Sequence, residues 1–142
     1  MARWAWVAAA AVAAGCGGPA EEYGQVEGVV TQDGRPLPLV EVTFVAEPGD
    51  RHDRPHAAGM TGADGRYRLR TARTRVDGVP VGAYRVFLTD VRAIPKPGGT
   101  EPAEPPRVPV GYCAYPTTPL TGVAVVPGPQ TYDIAVPPPD DR

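Results

Sequence analysis

Val40-Glu41-Val42-Thr43-Phe44-Val45-Ala46 carries the alternation that decides the fold. A period of two puts Val40, Val42, Phe44 and Ala46 on one face of an extended chain. Glu41 and Thr43 lie on the other face, the pattern of a half-buried β-strand. The same period recurs downstream, where Tyr67, Leu69 and Thr71 alternate with Arg66, Arg68 and Arg70, and where Tyr84, Val86 and Leu88 share one face. Upstream, residues 25–31 are short and β-branched, with Val26, Gly28 and Val30 on one side. Residues 57–61 and 108–112 read as short strands. Residues 120–126 and 131–136 read as the last two, the latter turning Tyr132, Ile134 and Val136 inward. After position 16 no window of eleven or more residues has helical periodicity.

The connections agree with this reading. Nineteen prolines and seventeen glycines fall between the apolar runs rather than in a repeat, which describes short strands joined by tight turns. Asp33-Gly34 and Ala63-Asp64-Gly65 are strong turn signals, so Gly34 and Gly65 are structural positions, as is Gly82 in the turn Pro80-Val81-Gly82-Ala83-Tyr84. That turn precedes an inward Tyr84, the setting for a tyrosine-corner hydrogen bond from its hydroxyl to nearby backbone. Residues 94–109 hold six prolines and form a long irregular excursion, of a length that is usually functional or disordered. Pro137-Pro138-Pro139-Asp140-Asp141-Arg142 cannot pair and makes a frayed tail. Seven or so strands in this order imply an all-β chain folded as a single β-sandwich with Greek-key connections.

The N-terminus has a different character. Arg3 precedes an apolar run from Trp4 to Ala14 that is eleven residues long, too short to span a bilayer but suited to a signal peptide. Ala13-Ala14-Gly15-Cys16 closes it and resembles the lipobox of bacterial lipoproteins. That resemblance implies that Cys16 receives a diacylglycerol with palmitate-type chains and becomes the mature N-terminus. Ala13 departs from the pattern, where Leu is usual, so plain secretion to the periplasm remains an alternative. Gly17, in place of an Asp, favours the outer over the inner membrane. The expected layout is therefore a signal peptide at 1–15, an anchor and tether at 16–24, a β-sandwich at 25–137 and a tail at 138–142. Cleavage removes Arg3 and leaves 127 residues with 13 basic and 16 acidic side chains. No basic stripe remains for nucleic acid. With Cys16 acylated, Cys113 is an odd thiol, expected to be buried or semi-buried and inert. Without lipid, a Cys16–Cys113 disulfide becomes possible.

Four motifs in order resemble carboxypeptidase regulatory-like domains, which have the transthyretin-type fold. They are Val29-Val30-Thr31-Gln32-Asp33-Gly34-Arg35-Pro36-Leu37, then Thr61-Gly62-Ala63-Asp64-Gly65-Arg66-Tyr67-Arg68-Leu69, then Val79-Pro80-Val81-Gly82-Ala83-Tyr84-Arg85-Val86. The fourth, Val108-Pro109-Val110-Gly111-Tyr112 with Thr117-Thr118-Pro119-Leu120, is similar to small planctomycete-type lipoproteins with this domain. The resemblance implies a fold and a surface location and carries no catalytic apparatus. Transthyretin-related hydroxyisourate hydrolases would need strand histidines and a C-terminal Tyr-Arg-Gly-Ser, and this chain has neither.

Little chemistry competes with that picture. Asp50, His52, Asp53 and His56 form the one metal-like cluster, at spacings zinc sites use, yet Arg51, Arg54 and Pro55 mark the segment as a solvated loop. No metal or other cofactor is expected. Arg66, Arg68 and Arg70 could form an anion-binding row, though such a row is more often a solvated face. The chain is expected to be a non-catalytic, lipid-anchored envelope module with a structural, adhesive or accessory role, bound to a membrane through Cys16 and to an envelope protein or glycan. The alternative is a small-molecule or glycan-binding module that uses residues 94–109 with Tyr112 and Tyr115.

Overall fold

A computed structural model describes residues 21–49 and 54–140. Cys16 and its leader, together with Asp50, His52 and Asp53, lie outside the described residues. The chain is all-β and its strands form two sheets. In order they are β1 (Tyr23–Gln32), β2 (Arg35–Pro36), β3 (Val40–Ala46), β4 (Ala57–Met60), β5 (Arg66–Arg68), β6 (Arg70–Thr71), β7 (Val79–Pro80), β8 (Gly82–Asp90), β9 (Val123–Val125), β10 (Gly128–Thr131) and β11 (Ile134–Ala135). Short 3₁₀ turns occupy Val91–Ala93 and Val110–Tyr112.

β1 is the spine of the first sheet. Along one side it pairs antiparallel with β7, β5 and β2 in succession, and along the other it pairs parallel with β10 and β11. It begins at Tyr23, so the first two paired residues fall within the stretch read as tether. The second sheet runs β6-β4-β3-β8-β9, with β3 and β8 in register over seven residues from Val40↔Asp90 to Ala46↔Tyr84. Between the sheets lies one apolar core, to which Val26 and Val30 of β1 contribute from one side and Val42, Phe44, Tyr84 and Leu88 from the other. Phe44 meets Tyr84 within its own sheet at 6.0 Å between ring centroids. Across the gap it meets Tyr132 edge-on at 5.9 Å, a favoured geometry for aromatic pairs.

Three local devices make this geometry possible. The turn at Asp33 (φ 51°) and Gly34 (φ 73°) has both central residues left-handed, as a two-residue hairpin of matching twist requires. The Tyr84 hydroxyl donates to the Pro80 carbonyl at 2.6 Å, which fixes the chain's entry into β8 while burying the tyrosine completely. At Gly28 the first sheet opens. The Tyr132 carbonyl turns away from the ladder and accepts from the Tyr67 hydroxyl, while the Val29 N–H is met by Asp133 Oδ1 at 2.9 Å. A Cβ on Gly28 would stand 1.9 Å from the Tyr132 oxygen.

Several expectations are corrected by the structure. Arg66, Arg68 and Arg70 do not lie on one strand, because the chain changes sheets at Leu69: β5 pairs with β1, β6 with β4. Sheet-switching strands of this kind make the corners of sandwiches. The switch passes Gly59, where a Cβ would lie 2.2 Å from the Arg68 carbonyl oxygen. Arg66 is paired with Asp64 at 3.7 Å and Arg70 with Asp77 at 2.9 Å, and Arg68 stands opposite Glu27, so the row has local counter-charges. Thr43 is covered at 6% exposure rather than facing water, since it sits mid-sheet between Ala58 and Phe87. Residues 108–112 form no strand but enter a 3₁₀ turn. The strand expected at 120–126 is restricted to Val123–Val125, and the last expected strand is interrupted at Tyr132 and Asp133. Gly82 lies within β8, opposite Val125.

The close approach at Gly28 and the dihedral demand at Gly34 separate by substitution. Gly28→Ala is expected to destabilise by about 3 kcal/mol, because backbone must move. Gly34→Ala, with open space around it, should cost about 1 kcal/mol through its left-handed φ alone. Urea unfolding of both variants checks the order, and a reversed order contradicts this account.

Candidate functional site

The strands define two ends. At the Tyr23 end lie Pro80, Tyr84, Ala46 and Val125. At the Gln32 end lie the Asp33-Gly34 turn, Val40 and Asp90. The proline-rich excursion starts at this second end and returns to it.

Asp90, the last residue of β8, closes it. Its side chain is 4% exposed, a costly place for a carboxylate unless donors surround it. Oδ2 accepts from the Arg107 N–H at 2.9 Å and from Arg107 Nε at 3.0 Å. Oδ1 accepts from Arg107 Nη2 at 2.6 Å and from the Arg92 N–H at 3.2 Å. Arg107 thus grips the carboxylate with its fork and its own backbone, the strongest form of such a pair. Burial alone would raise the Asp90 pKa. The hydrogen bonds and charge of Arg107, with the Arg92 amide, outweigh it and hold the carboxyl below the usual carboxylate range.

This pair clasps three other segments. Arg107 Nη2 also donates to the Pro38 carbonyl at 2.9 Å, and the Arg107 carbonyl accepts from Gln32 Nε2 at 2.6 Å. The same Gln32 amide reaches the Pro137 carbonyl at 3.1 Å, which ties down the start of the C-terminal tail. Next to Pro38, Leu39 is held in the left-handed region at φ 57° by its own N–H on the Thr61 carbonyl and its carbonyl under the Val91 N–H. Across the excursion Arg92 pairs with Glu104, and Val108 packs into the core at 2% exposure. Residues 94–109 are therefore a strapped loop.

A groove of about 600 Å³ opens beside the clasp, lined by Gln32, Asp33, Arg35, Pro36, Leu37, Pro38, Arg92 and Arg107. Sequence reasoning missed this groove. Its residues come from two segments some sixty positions apart, and neither carries a recognisable motif.

The residues singled out from the sequence are dispersed. Tyr112 packs against the core. The Tyr115 hydroxyl donates to the Ala46 carbonyl at 3.0 Å, and its ring lies under the Arg85 guanidinium at 4.9 Å. Arg85 in turn pairs with Glu47 at 2.9 Å, and Glu47 accepts from the Gly122 N–H. Tyr115 thus holds the 110–122 segment onto the second sheet, and Tyr112 holds it against the core. Cys113 is exposed rather than buried or semi-buried, because the 3₁₀ turn before it carries the chain outward. Partial desolvation and the Asp90 charge push its thiol up. His56 is exposed, and among the described residues no three His, Cys, Asp or Glu side chains gather to hold a metal. Tyr67, on the first sheet, has its ionisation raised by burial and by the nearby Tyr132 and Asp133. Comparison with protein-family models, curated proteins and solved structures gives no match.

Two outcomes follow from these shifts. Because the folded Asp90 pKa is lowered, its stabilisation is present above the usual carboxylate range and is lost as pH falls through the folded value. Asp90→Asn should therefore cost about 3 kcal/mol at neutral pH, from an uncompensated Arg107. It should also lower the protection of amides across 91–107 against hydrogen exchange, compared with the wild type at the same pH; unchanged protection in that segment contradicts the clasp. Iodoacetamide should alkylate Cys113 more slowly than glutathione at neutral pH, since a raised pKa leaves less thiolate. An equal or faster rate contradicts that reading.

Proposed function

We propose that this chain is a non-catalytic, lipid-anchored β-sandwich module of the cell envelope, attached to the outer membrane through Cys16. Its fold is of the transthyretin type with Greek-key connections, as in carboxypeptidase regulatory-like domains. The observation that carries the proposal is Ala13-Ala14-Gly15-Cys16 at the end of an eleven-residue apolar run, followed seven residues later by Tyr23, the first residue of β1. A diacylated N-terminus supplies the two chains that stable anchoring needs. Gly17-Gly18-Pro19-Ala20-Glu21-Glu22 then serves as a short spacer. Anchoring there holds the Tyr23 end of the sandwich toward the bilayer. The ten residues of β1 lift the clasped end about 30 Å further out.

The buried polar groups favour a binding or structural role over catalysis. The hydroxyls of Thr61, Thr71, Thr118 and Tyr84 all donate to backbone carbonyls of the fold. Asp90 and Arg107 likewise face each other. These groups organise loops around two sheets and leave one end of the sandwich shaped for contact with an envelope protein or glycan.

Intact-mass analysis of the protein extracted from membranes tests the anchor. The expected species begins at Cys16 and carries diacylglyceryl and acyl mass, and Cys16→Ala should abolish both the added mass and membrane retention. An unacylated mature protein recovered in the soluble periplasmic fraction would overturn the proposal.

A further inference from the structure

We infer that the groove beside the Asp90–Arg107 clasp binds carboxylate groups, either on a small polycarboxylate or on an acidic segment of a partner protein. The lining sets the charge. Arg35, Arg92 and Arg107 line the groove with Asp33 as the carboxylate in the wall; Arg92 is ion-paired with Glu104 and Arg107 with Asp90, which leaves Arg35 as the cation of the three outside an ion pair among the described residues. Arg35 has no hydrogen-bonded or ion-paired side-chain partner among the described residues. Arg107 commits Nε and Nη2 to Asp90 and Pro38, while its Nη1 makes no bond within the fold and reaches solvent. Its guanidinium is thus fixed in place with donors still available, and a pre-oriented fork loses little entropy on binding.

The backbone decides which oxyanion fits. A phosphate is usually cradled by several main-chain N–H groups. Here Pro36 and Pro38 have none to offer. The Leu37 N–H is bonded to the Val30 carbonyl, and the N–H groups of Arg92 and Arg107 are both bonded to Asp90. Of these five residues only the guanidiniums of Arg92 and Arg107 keep donors, and with Arg35 they present planar forks that match a two-oxygen carboxylate, whereas a phosphate would find no cradle of successive N–H groups among them. The floor of Pro36, Leu37 and Pro38 adds an apolar surface for the body of the ligand. Nothing here depends on how the N-terminus is anchored.

The test uses the full chain, labelled with nitrogen-15 and titrated with citrate, with a glutamate-rich peptide and with inorganic phosphate. Arginine Nε–H resonances report on the groove directly. Citrate, the peptide or both should give saturable shifts at Arg35, Arg92 and Arg107, and phosphate should bind more weakly than the better of the two. Arg35→Gln should weaken binding about tenfold, the worth of one charge-assisted contact. Arg66→Gln, at the surface pair with Asp64, should leave binding unchanged. Citrate binding without the peptide identifies a small-acid site, and peptide binding without citrate identifies a protein partner; both sustain the inference. No saturable shift with either carboxylate, tighter binding of phosphate, or affinity indifferent to Arg35→Gln would overturn it.

Discussion

Asp90 holds its carboxylate almost wholly out of water at the end of β8, and four donors from two residues converge on it. A charge so placed is tolerated only while its partners stay in position, so the pair constrains everything attached to those partners. Arg107 closes the excursion that begins at Val91. Through Pro38 it fixes the approach to β3, and through Gln32 it is tied to the end of β1 and to the start of the tail. One end of the sandwich therefore acts as a unit, although its segments come from four places in the sequence.

The core needs no such device. Val26 and Val30 face Val42, Phe44 and Leu88 because alternation in both sheets points the same way, and burying each such side chain contributes roughly 2 kcal/mol. What the core requires is room for close backbone approach. Gly28 lets the Tyr132 carbonyl cross toward Tyr67, and Gly59 lets the chain pass from one sheet to the other. Apolar burial thus gives the sandwich its stability, while the glycines and the polar clasps decide where its strands begin, switch and end.

These roles explain what could be read from the sequence. The strands at 40–46 and 82–88 are evident from period-two alternation, the second running on to Asp90 in the structure; the Asp33-Gly34 hairpin is evident from its dipeptide, and the Tyr84–Pro80 bond from a turn placed before an inward tyrosine. Alternation does not name a strand's partner. Arg66 to Thr71 keeps one rhythm while it serves two sheets, because both sheets face the same core. The parallel addition of β10 and β11 to β1 was hidden for the same reason. The clasp left no signal at all: one aspartate and one arginine seventeen residues apart, with prolines between, look like any solvated loop. Cys113 misled because burial is the usual fate of an unpaired cysteine, whereas this one follows a 3₁₀ turn that faces outward.

The proposed anchor and the proposed carboxylate groove lie at opposite ends of β1, so a membrane attachment at one leaves the other open to a partner. The groove depends on the clasp, because Arg107 presents its free edge only while Asp90 holds the other. A double-mutant cycle on Asp90→Asn and Arg107→Gln, followed by chemical unfolding of the full chain, tests that dependence most directly. The account predicts a coupling of about 2 kcal/mol, with the double variant little worse than either single one. Strictly additive losses would show that the two residues act independently and would contradict it.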